Sequence, residues 1–103
     1  MYAVVLVTAK DKKEARKISL GLIKAKLAAC VNIVDKVDSL FFWEDKLDQA
    51  KESLLLIKSR KDKIPRIIKL VKSLHSYEVP EIIALPIIAG DKSYLRWIDA
   101  TFR

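Results

Sequence analysis

A seven-residue stretch, His75–Glu81, holds the only histidine of the chain together with a tyrosine and two glutamates. Imidazole and carboxylate groups are ligands that divalent metals such as copper, zinc and nickel accept in proteins. Pro80 lacks an amide donor and moves the residue before it away from helical angles. The helical pattern that precedes the stretch must therefore end before Val79. The polar side chains then fall in a stiff connection between two elements, which is a usual position for a binding site.

The candidate metal ligands each have a second interpretation. His75 is either a ligand or a residue at a helix C-terminus that makes a structural hydrogen bond near the negative end of the dipole. Glu78 and Glu81 either complete a metal site or form a solvated loop face. Tyr77 either hydrogen-bonds a ligand or packs in an interface. Cys30 is a soft ligand by its chemistry, but its alternation with apolar strand neighbours favours a small core residue.

Four more residues are candidates for a pocket between subunits. Trp43 and Glu44 lie near the tip of a predicted hairpin, where packing between subunits is the favoured role. Lys58 ends an apolar strand, and it either offers a cation to an anionic ligand or reaches solvent. Trp97 is spaced on a helical face with Tyr94, which favours a core or interface position.

Length and composition narrow the protein class. The 103 residues, with half of them hydrophobic, predict one domain over residues 1–103. The single cysteine excludes an internal disulfide and suits a reducing compartment. No segment has the pattern of a secretory signal or the length of a bilayer span. We therefore expect a cytoplasmic protein without a membrane partner.

The net charge of +7 raises the question of nucleic-acid binding. The lysines are scattered, and their densest groups open helical patterns beside acidic residues, which favours solvated helix faces. The third predicted strand, 53–58, has no aromatic side chain on which bases could stack. An acylphosphatase-type enzyme would need a glycine-rich loop after the first strand, and the chain has only two glycines. The sequence therefore predicts neither a nucleic-acid module nor an enzyme.

The order of predicted elements is βαββαβ followed by a terminal helix. Right-handed crossovers then give an α+β, ferredoxin-like sandwich, with two helices on one face of an antiparallel sheet and the other face free for the last helix or for partner subunits. Asp11 with Glu14 is predicted to cap the first helix and Asp62 the second. Pro86 marks the last strand as an edge or broken strand. The predicted elements are strand 2–8, helix 12–27, strands 28–34 and 37–43, turn 44–46, strand 47–60, a helix ending at 74, strand 82–89 and helix 94–102.

The central hairpin is longer than a domain of this size can cover. Its outer part carries Leu40, Phe41, Phe42 and Trp43, which a monomer would leave largely exposed. An exposed aromatic strand pair is an aggregation hazard unless a partner covers it. The hairpin therefore predicts an oligomer.

Four segments, in order and spacing, resemble the signature segments of the CutA divalent-cation tolerance family. They are 26–32 (KLAACVN), 42–47 (FWEDKL), 75–82 (HSYEVPEI) and 94–97 (YLRW). The resemblance implies a cytoplasmic homotrimer of ferredoxin-like subunits, similar to the PII signalling proteins, whose long hairpins pair between subunits. It implies tolerance to copper and other divalent metals, with copper binding in some members, and it implies no enzymatic activity.

The chain departs from the family pattern at four positions. Ser76 stands where the family has proline after the histidine, and Asp45 where the turn has glycine. Val7 and Leu74 stand where copper-binding bacterial members have a cysteine and a second histidine, so only His75 remains of that ligand set. The resemblance as a whole still implies a protein of metal homeostasis that binds Cu(II) or another divalent cation, although not through that ligand set. The alternative is a PII-like trimeric signalling or scaffold protein that binds a small organic anion.

Overall fold

A computed structural model describes residues 1–103, and its sheet has the strand order of a ferredoxin-like fold. The four antiparallel strands lie in the order β2-β3-β1-β4. The predicted fold class, α+β with βαββαβ order and a terminal helix, is confirmed. The elements are β1 (Tyr2–Ala9), α1 (Lys12–Lys24), β2 (Cys30–Trp43), β3 (Lys46–Arg60), a 3-10 turn (Lys61–Lys63), α2 (Ile64–Leu74), β4 (Ile82–Pro86) and α3 (Lys92–Thr101).

Helices α1 and α2 pack on one face of the sheet. Strand residues alternate between the faces, and the alternation gathers buried apolar side chains of β1 and β3 on this one. Val5 of β1 is paired with Ile57 of β3, and both are fully buried against the helices. The helices complete this core with apolar residues at helical spacing. The fully buried helix residues of the core are Ala15, Ile18, Leu22, Ile67 and Val71.

Two predicted boundaries of α1 and α2 need correction. Helix α1 ends at Lys24 rather than Leu27, since Lys26 takes a positive φ of 55° that no α-helix continues through. Asp62 does not cap α2. Its two carboxylate oxygens instead accept hydrogen bonds from the Arg60 guanidinium, at 3.0 and 3.1 Å.

Strand β4 is shorter than predicted, ending at Pro86 instead of Ala89. It pairs only with β1 and forms an edge of the sheet. An edge is where a residue without an amide donor does least harm, so Pro86 occupies a position that the sequence predicted.

Strands β2 and β3 form the long hairpin that the sequence predicted. An irregularity between Val34 and Val37 bends the ladder, and Lys36 there has a φ of 59°. Glu44 and Asp45 form a two-residue loop, and their φ angles of 52° and 62° have the signs of a type I′ turn. We call residues 37–52, the part beyond the irregularity, the hairpin arm.

The other face of the sheet is covered at one end by α3, as expected for the last helix. Tyr2 donates its phenol proton to Asp99, and Arg60 donates to the same carboxylate at 3.2 Å. Ile98 of α3 is fully buried. These contacts attach α3 beside the start of β1 and the end of β3. None of the three α-helices has the length and the apolar composition that a bilayer span requires.

Candidate functional site

His75, the residue after α2, is fully buried at its side chain. Its ring Nε2 lies 2.7 Å from the backbone oxygen of Thr8, and its Nδ1 accepts the amide proton of Tyr77 at 3.0 Å. A carbonyl only accepts and an amide only donates, so these partners assign the neutral ring with its proton on Nε2. Both nitrogens are therefore engaged in hydrogen bonds, and the one ring lone pair, on Nδ1, is taken up by the Tyr77 amide in this geometry. This geometry is that of a structural hydrogen bond at the C-terminus of a helix, the second interpretation of His75.

Glu14 lies beside His75 and fastens the loop to the start of α1. One carboxylate oxygen accepts the amide proton of Lys10 at 3.1 Å, and the other accepts that of Ser76 at 3.0 Å. The first oxygen is 3.8 Å from His75 Nδ1. Burial opposes ionisation of this carboxyl, but the hydrogen bonds from Ser76 and Lys10 outweigh it, and the pKa of Glu14 lies below its ordinary value. Glu14 was predicted only as part of a cap, where Asp11 does accept the Glu14 amide at 2.8 Å.

Tyr77 extends this buried group toward the hairpin arm. Its phenol donates to Glu52 Oε2 at 2.9 Å, and its ring lies 4.8 Å from that of His75. Burial, then the hydrogen bond to Glu52 and the charges of Glu52, Glu14 and Asp11, raise the pKa of Tyr77 to about 12. Glu52 itself is only 8% exposed and makes no ion pair with a basic side chain. A nearly buried carboxylate thus faces the loop without a neutralising cation.

The loop and the hairpin arm enclose an open groove of about 810 Å³, which we call the acidic groove. Five carboxylates line it, and no lysine, arginine or histidine does, although the chain as a whole carries +7. Aromatic side chains line part of its wall. The lining residues are Thr8, Asp38, Ser39, Leu40, Phe41, Trp43, Asp48, Ala50, Glu52, Tyr77, Glu78, Val79 and Glu81.

Among the predicted site residues, Glu78, Glu81, Tyr77 and Trp43 meet in the acidic groove. His75 supports the loop from beneath, by the hydrogen bonds described above. Glu44 lies in the exposed turn at the tip of the arm and is not part of the groove wall.

Cys30 and Lys58 lie at the other end of the sheet, so the four predicted metal ligands are not brought together. Cys30 pairs with Lys58, which pairs with Val4, whereas His75 binds Thr8. The four residue-to-residue steps from Val4 to Thr8 span about 13 Å of extended strand. No three histidine, cysteine, aspartate or glutamate side chains in the chain form a group that could hold a metal ion. Cys30 is half-buried, with Sγ 4.0 Å from Lys58 Nζ.

Trp97 is half-exposed on α3 and stacks at 5.5 Å on Tyr94, away from the acidic groove.

Sequence reasoning did not identify Glu52, Asp48 and Asp38 as groove residues. A signal for two of them exists, because Asp48, Ala50 and Glu52 alternate along β3 and so point to one face. Their neighbours on β2 alternate in the same way, with Phe41 paired to Asp48. No pattern in the sequence shows that this face meets the loop after α2.

Comparison with known proteins agrees with this fold. The profile of the family described as CutA1 divalent ion tolerance protein matches residues 3–101. The divalent-cation tolerance protein CutA of Thermus thermophilus is 43% identical over 98 residues, which cover 95% of each chain. The chloroplastic protein CutA 1 of rice is 42% identical over 97% of this chain, but the chain spans only 56% of the rice protein, about half its length.

A solved structure of a CutA protein has the same fold as this chain. The periplasmic divalent cation tolerance protein CutA of Archaeoglobus fulgidus is 41% identical, superposes with a TM-score of 0.97 and is covered over its whole length. The match extends over the loop, the hairpin arm and α3 alike. The chain belongs to the CutA1 divalent ion tolerance family.

Proposed function

We propose that this chain serves divalent-cation tolerance by binding a divalent cation in the acidic groove, without catalysing a reaction. The observation that supports this most is the charge of the groove. Five carboxylates and no basic side chain line it in a chain of net charge +7, and only one of the five, Asp38, is ion-paired, with Lys51 outside the groove wall. A cleft lined by charge of one sign concentrates counter-ions of the other sign.

The proposed ligands are carboxylate oxygens, with Glu78 and Glu81 first among them. Oxygen ligands suit hard or borderline cations such as Mg²⁺, Ca²⁺ and Mn²⁺, and carboxylates also bind Zn²⁺ and Cu²⁺. In this proposal His75 positions the loop instead of ligating, because both of its ring nitrogens are already hydrogen-bonded. Cys30 has no ligand role, since it lies at the far end of the sheet.

We further propose that the protein is a PII-like homotrimer built from single domains of residues 1–103. Phe42 and Leu47 of the hairpin arm are 77% and 71% exposed in one subunit, which supports a covering partner. An arm from a second subunit, laid along the groove, would supply ligands that one subunit lacks. The proposed compartment is the cytoplasm, for which the free Cys30 and the absence of a disulfide are the support.

The alternative, an organic anion in this groove, has less support. Lys58 was the candidate cation for such a ligand, and it pairs with Cys30 at the opposite end of the sheet. The only charged side chains that an anion would meet in the acidic groove are carboxylates, so it would have no charge partner.

Calorimetric titration of the purified protein with Mn²⁺, Zn²⁺, Cu²⁺ and ATP tests the proposal. We expect binding of at least one metal and none of ATP. The double variant E78Q/E81Q keeps the shape of the loop and removes two charges, and we expect it to weaken metal binding at least tenfold. The double variant E44Q/D45N, which removes two charges outside the groove wall, is the matched control. Metal binding that survives in E78Q/E81Q, or ATP binding by the wild type, would contradict the proposal.

Electron paramagnetic resonance of the Cu²⁺-loaded protein separates the two ligand sets. A site made of carboxylates gives a spectrum without nitrogen hyperfine structure. Nitrogen couplings that disappear in His75→Asn would instead assign His75 as a ligand and would require its hydrogen bond to Thr8 or to Tyr77 to break.

A further inference from the structure

The positive charge of the chain is concentrated on one side of the molecule. Residues 10–26 and 61–74, which contain α1 and α2 and which we call the helix layer, hold 12 of the 20 lysines and arginines but only three of the 13 acidic residues. The rest of the chain, with eight basic and ten acidic residues, is slightly acidic. The lysines that look scattered along the sequence are therefore gathered by the fold, since eight of these 12 basic residues lie on two neighbouring helices and four in the segments at their ends.

The basic side chains of the helix layer have no acidic partners. The ion pairs of the chain involve Lys51, Arg60 and His75, none of which is a lysine or arginine of this layer. Glu14 is buried and serves His75, and Asp62 is taken by Arg60. A self-contained solvated helix surface would pair Glu with Lys at helical spacing. This surface lacks such pairs and, with 12 basic against three acidic residues, carries a net positive charge.

Apolar side chains are exposed within the same surface. Leu20 of α1 is 49% exposed and lies three and four residues from Lys17 and Arg16, so it shares their helix face. Ile23 and Ile68 are partly exposed on the flanks of the layer, each on the side of its helix away from the other helix. The helix layer contains no aromatic residue, asparagine or glutamine, so it has nothing to stack on bases or to read their edges.

We propose that the outer face of α1 and α2 binds peripherally to an anionic lipid bilayer. Lysines near a negatively charged leaflet are attracted to its headgroups, and their long stems reach past neighbouring side chains. Leu20, Ile23 and Ile68 would enter the boundary between headgroups and acyl chains. A nucleic acid would use the charge but not the exposed apolar groups, which is why the bilayer is favoured. The proposal is independent of the acidic groove, which lies on the loop and hairpin arm.

Co-sedimentation of the full chain with vesicles tests this. The probes are vesicles of phosphatidylcholine alone and of phosphatidylcholine with 30 mol% phosphatidylglycerol. We expect binding only to the second, weakening steeply as salt is raised. The variant K13E/K17E/K69E is expected to bind about 100-fold or more weakly, since each lysine near such a surface counts for about a factor of five to ten. The matched control K36E/K92E/R96E makes the same change in net charge outside the helix layer and is expected to keep most of the binding.

A second variant separates a bilayer from other polyanions. L20S/I23S/I68S keeps every charge and is expected to weaken vesicle binding about tenfold, with no effect on any binding to duplex DNA. Three outcomes would overturn the proposal: no binding to anionic vesicles, equal losses in the two charge-reversal variants, or tight binding of duplex DNA with vesicle binding unaffected by the serine substitutions. Circular dichroism of each variant verifies that α1 and α2 remain folded.

Discussion

The two halves of strand β3 belong to one continuous ladder but have different surroundings. In the inner half Ser53, Leu55, Ile57 and Ser59 are fully buried under the helices. In the outer half, residues 46–49 are exposed on both faces, and Leu47 is 71% exposed. Both halves pair with β2 through the same kind of backbone hydrogen bonds.

The difference indicates where the stability of one subunit originates. A two-stranded ribbon is marginal in water without a covered hydrophobic face, however complete its ladder. The inner half has that cover from α1 and α2, and the loop bearing Glu78 and Glu81 is attached to the same core by the bonds of His75 to Thr8 and of Ser76 to Glu14. The hairpin arm has no such cover within one subunit. The acidic groove lies between these two regions, so one of its walls rests on the packed core and the other on the exposed arm, which the proposed trimer would cover.

The largest effect is expected from a cavity in the inner half. Leu55→Ala should lower the free energy of unfolding by about 2–5 kcal/mol at every protein concentration, because a fully buried leucine leaves a void. Leu47→Ala, the same change in the arm, should act mainly through assembly and make the unfolding midpoint more dependent on protein concentration. Denaturant titrations at several concentrations measure both. Equal, concentration-independent losses in the two variants would show that the halves of β3 do not differ as described.

The next effect concerns the buried loop support. His75→Leu keeps the volume roughly but leaves the Thr8 carbonyl and the Tyr77 amide without their partners. Because unsatisfied buried groups are costly, we expect a loss of about 2–3 kcal/mol in the free energy of unfolding. Ser73→Ala, in the last turn of α2 and exposed, is the control, with a change below about 0.5 kcal/mol. A loss in His75→Leu no larger than in the control would mean that the loop is held by other contacts.

A smaller effect is expected on acidification. The pKa of Glu14 is lower in the folded chain than its ordinary value of 4.5, so the folded state binds fewer protons there. Its contribution to stability is therefore complete above that ordinary value and is lost as the pH falls through the folded pKa. Glu14→Gln removes the titrating carboxyl. The free energy of unfolding of this variant should therefore fall less steeply than that of the wild type below about pH 5. Parallel acid unfolding curves for the two proteins would contradict this role of Glu14.

The fold was largely predictable because its signals are local. The βαββαβ order follows from apolar periodicity, the position of β4 at a sheet edge from Pro86, and the tight turn from Asp45, which tolerates positive φ. The errors also have local causes. Asp62 has the composition of a cap, but the Arg60 guanidinium offers its carboxylate two hydrogen bonds.

The candidate site was less predictable because it depends on tertiary register. Glu78 and Glu81 were identified from the loop sequence, whereas Glu52 is 25 residues from Tyr77, its hydrogen-bond partner. His75 was weighed as a ligand and as a structural residue, and no sequence pattern shows that the oxygen of Thr8, 67 residues away, accepts its proton. Contacts between distant segments decided which polar residues face the groove.

The proposed dependence of the hairpin arm on a partner is tested most directly by sedimentation equilibrium of the wild type and of Trp43→Glu. We expect the wild type to sediment at three times the subunit mass of 11.8 kDa. The variant places a charge in the proposed contact, so we expect it to dissociate at micromolar concentration. A wild type that remains a stable monomer of 11.8 kDa at such concentrations, with the arm ordered, would contradict the proposal that the hairpin arm needs a partner subunit.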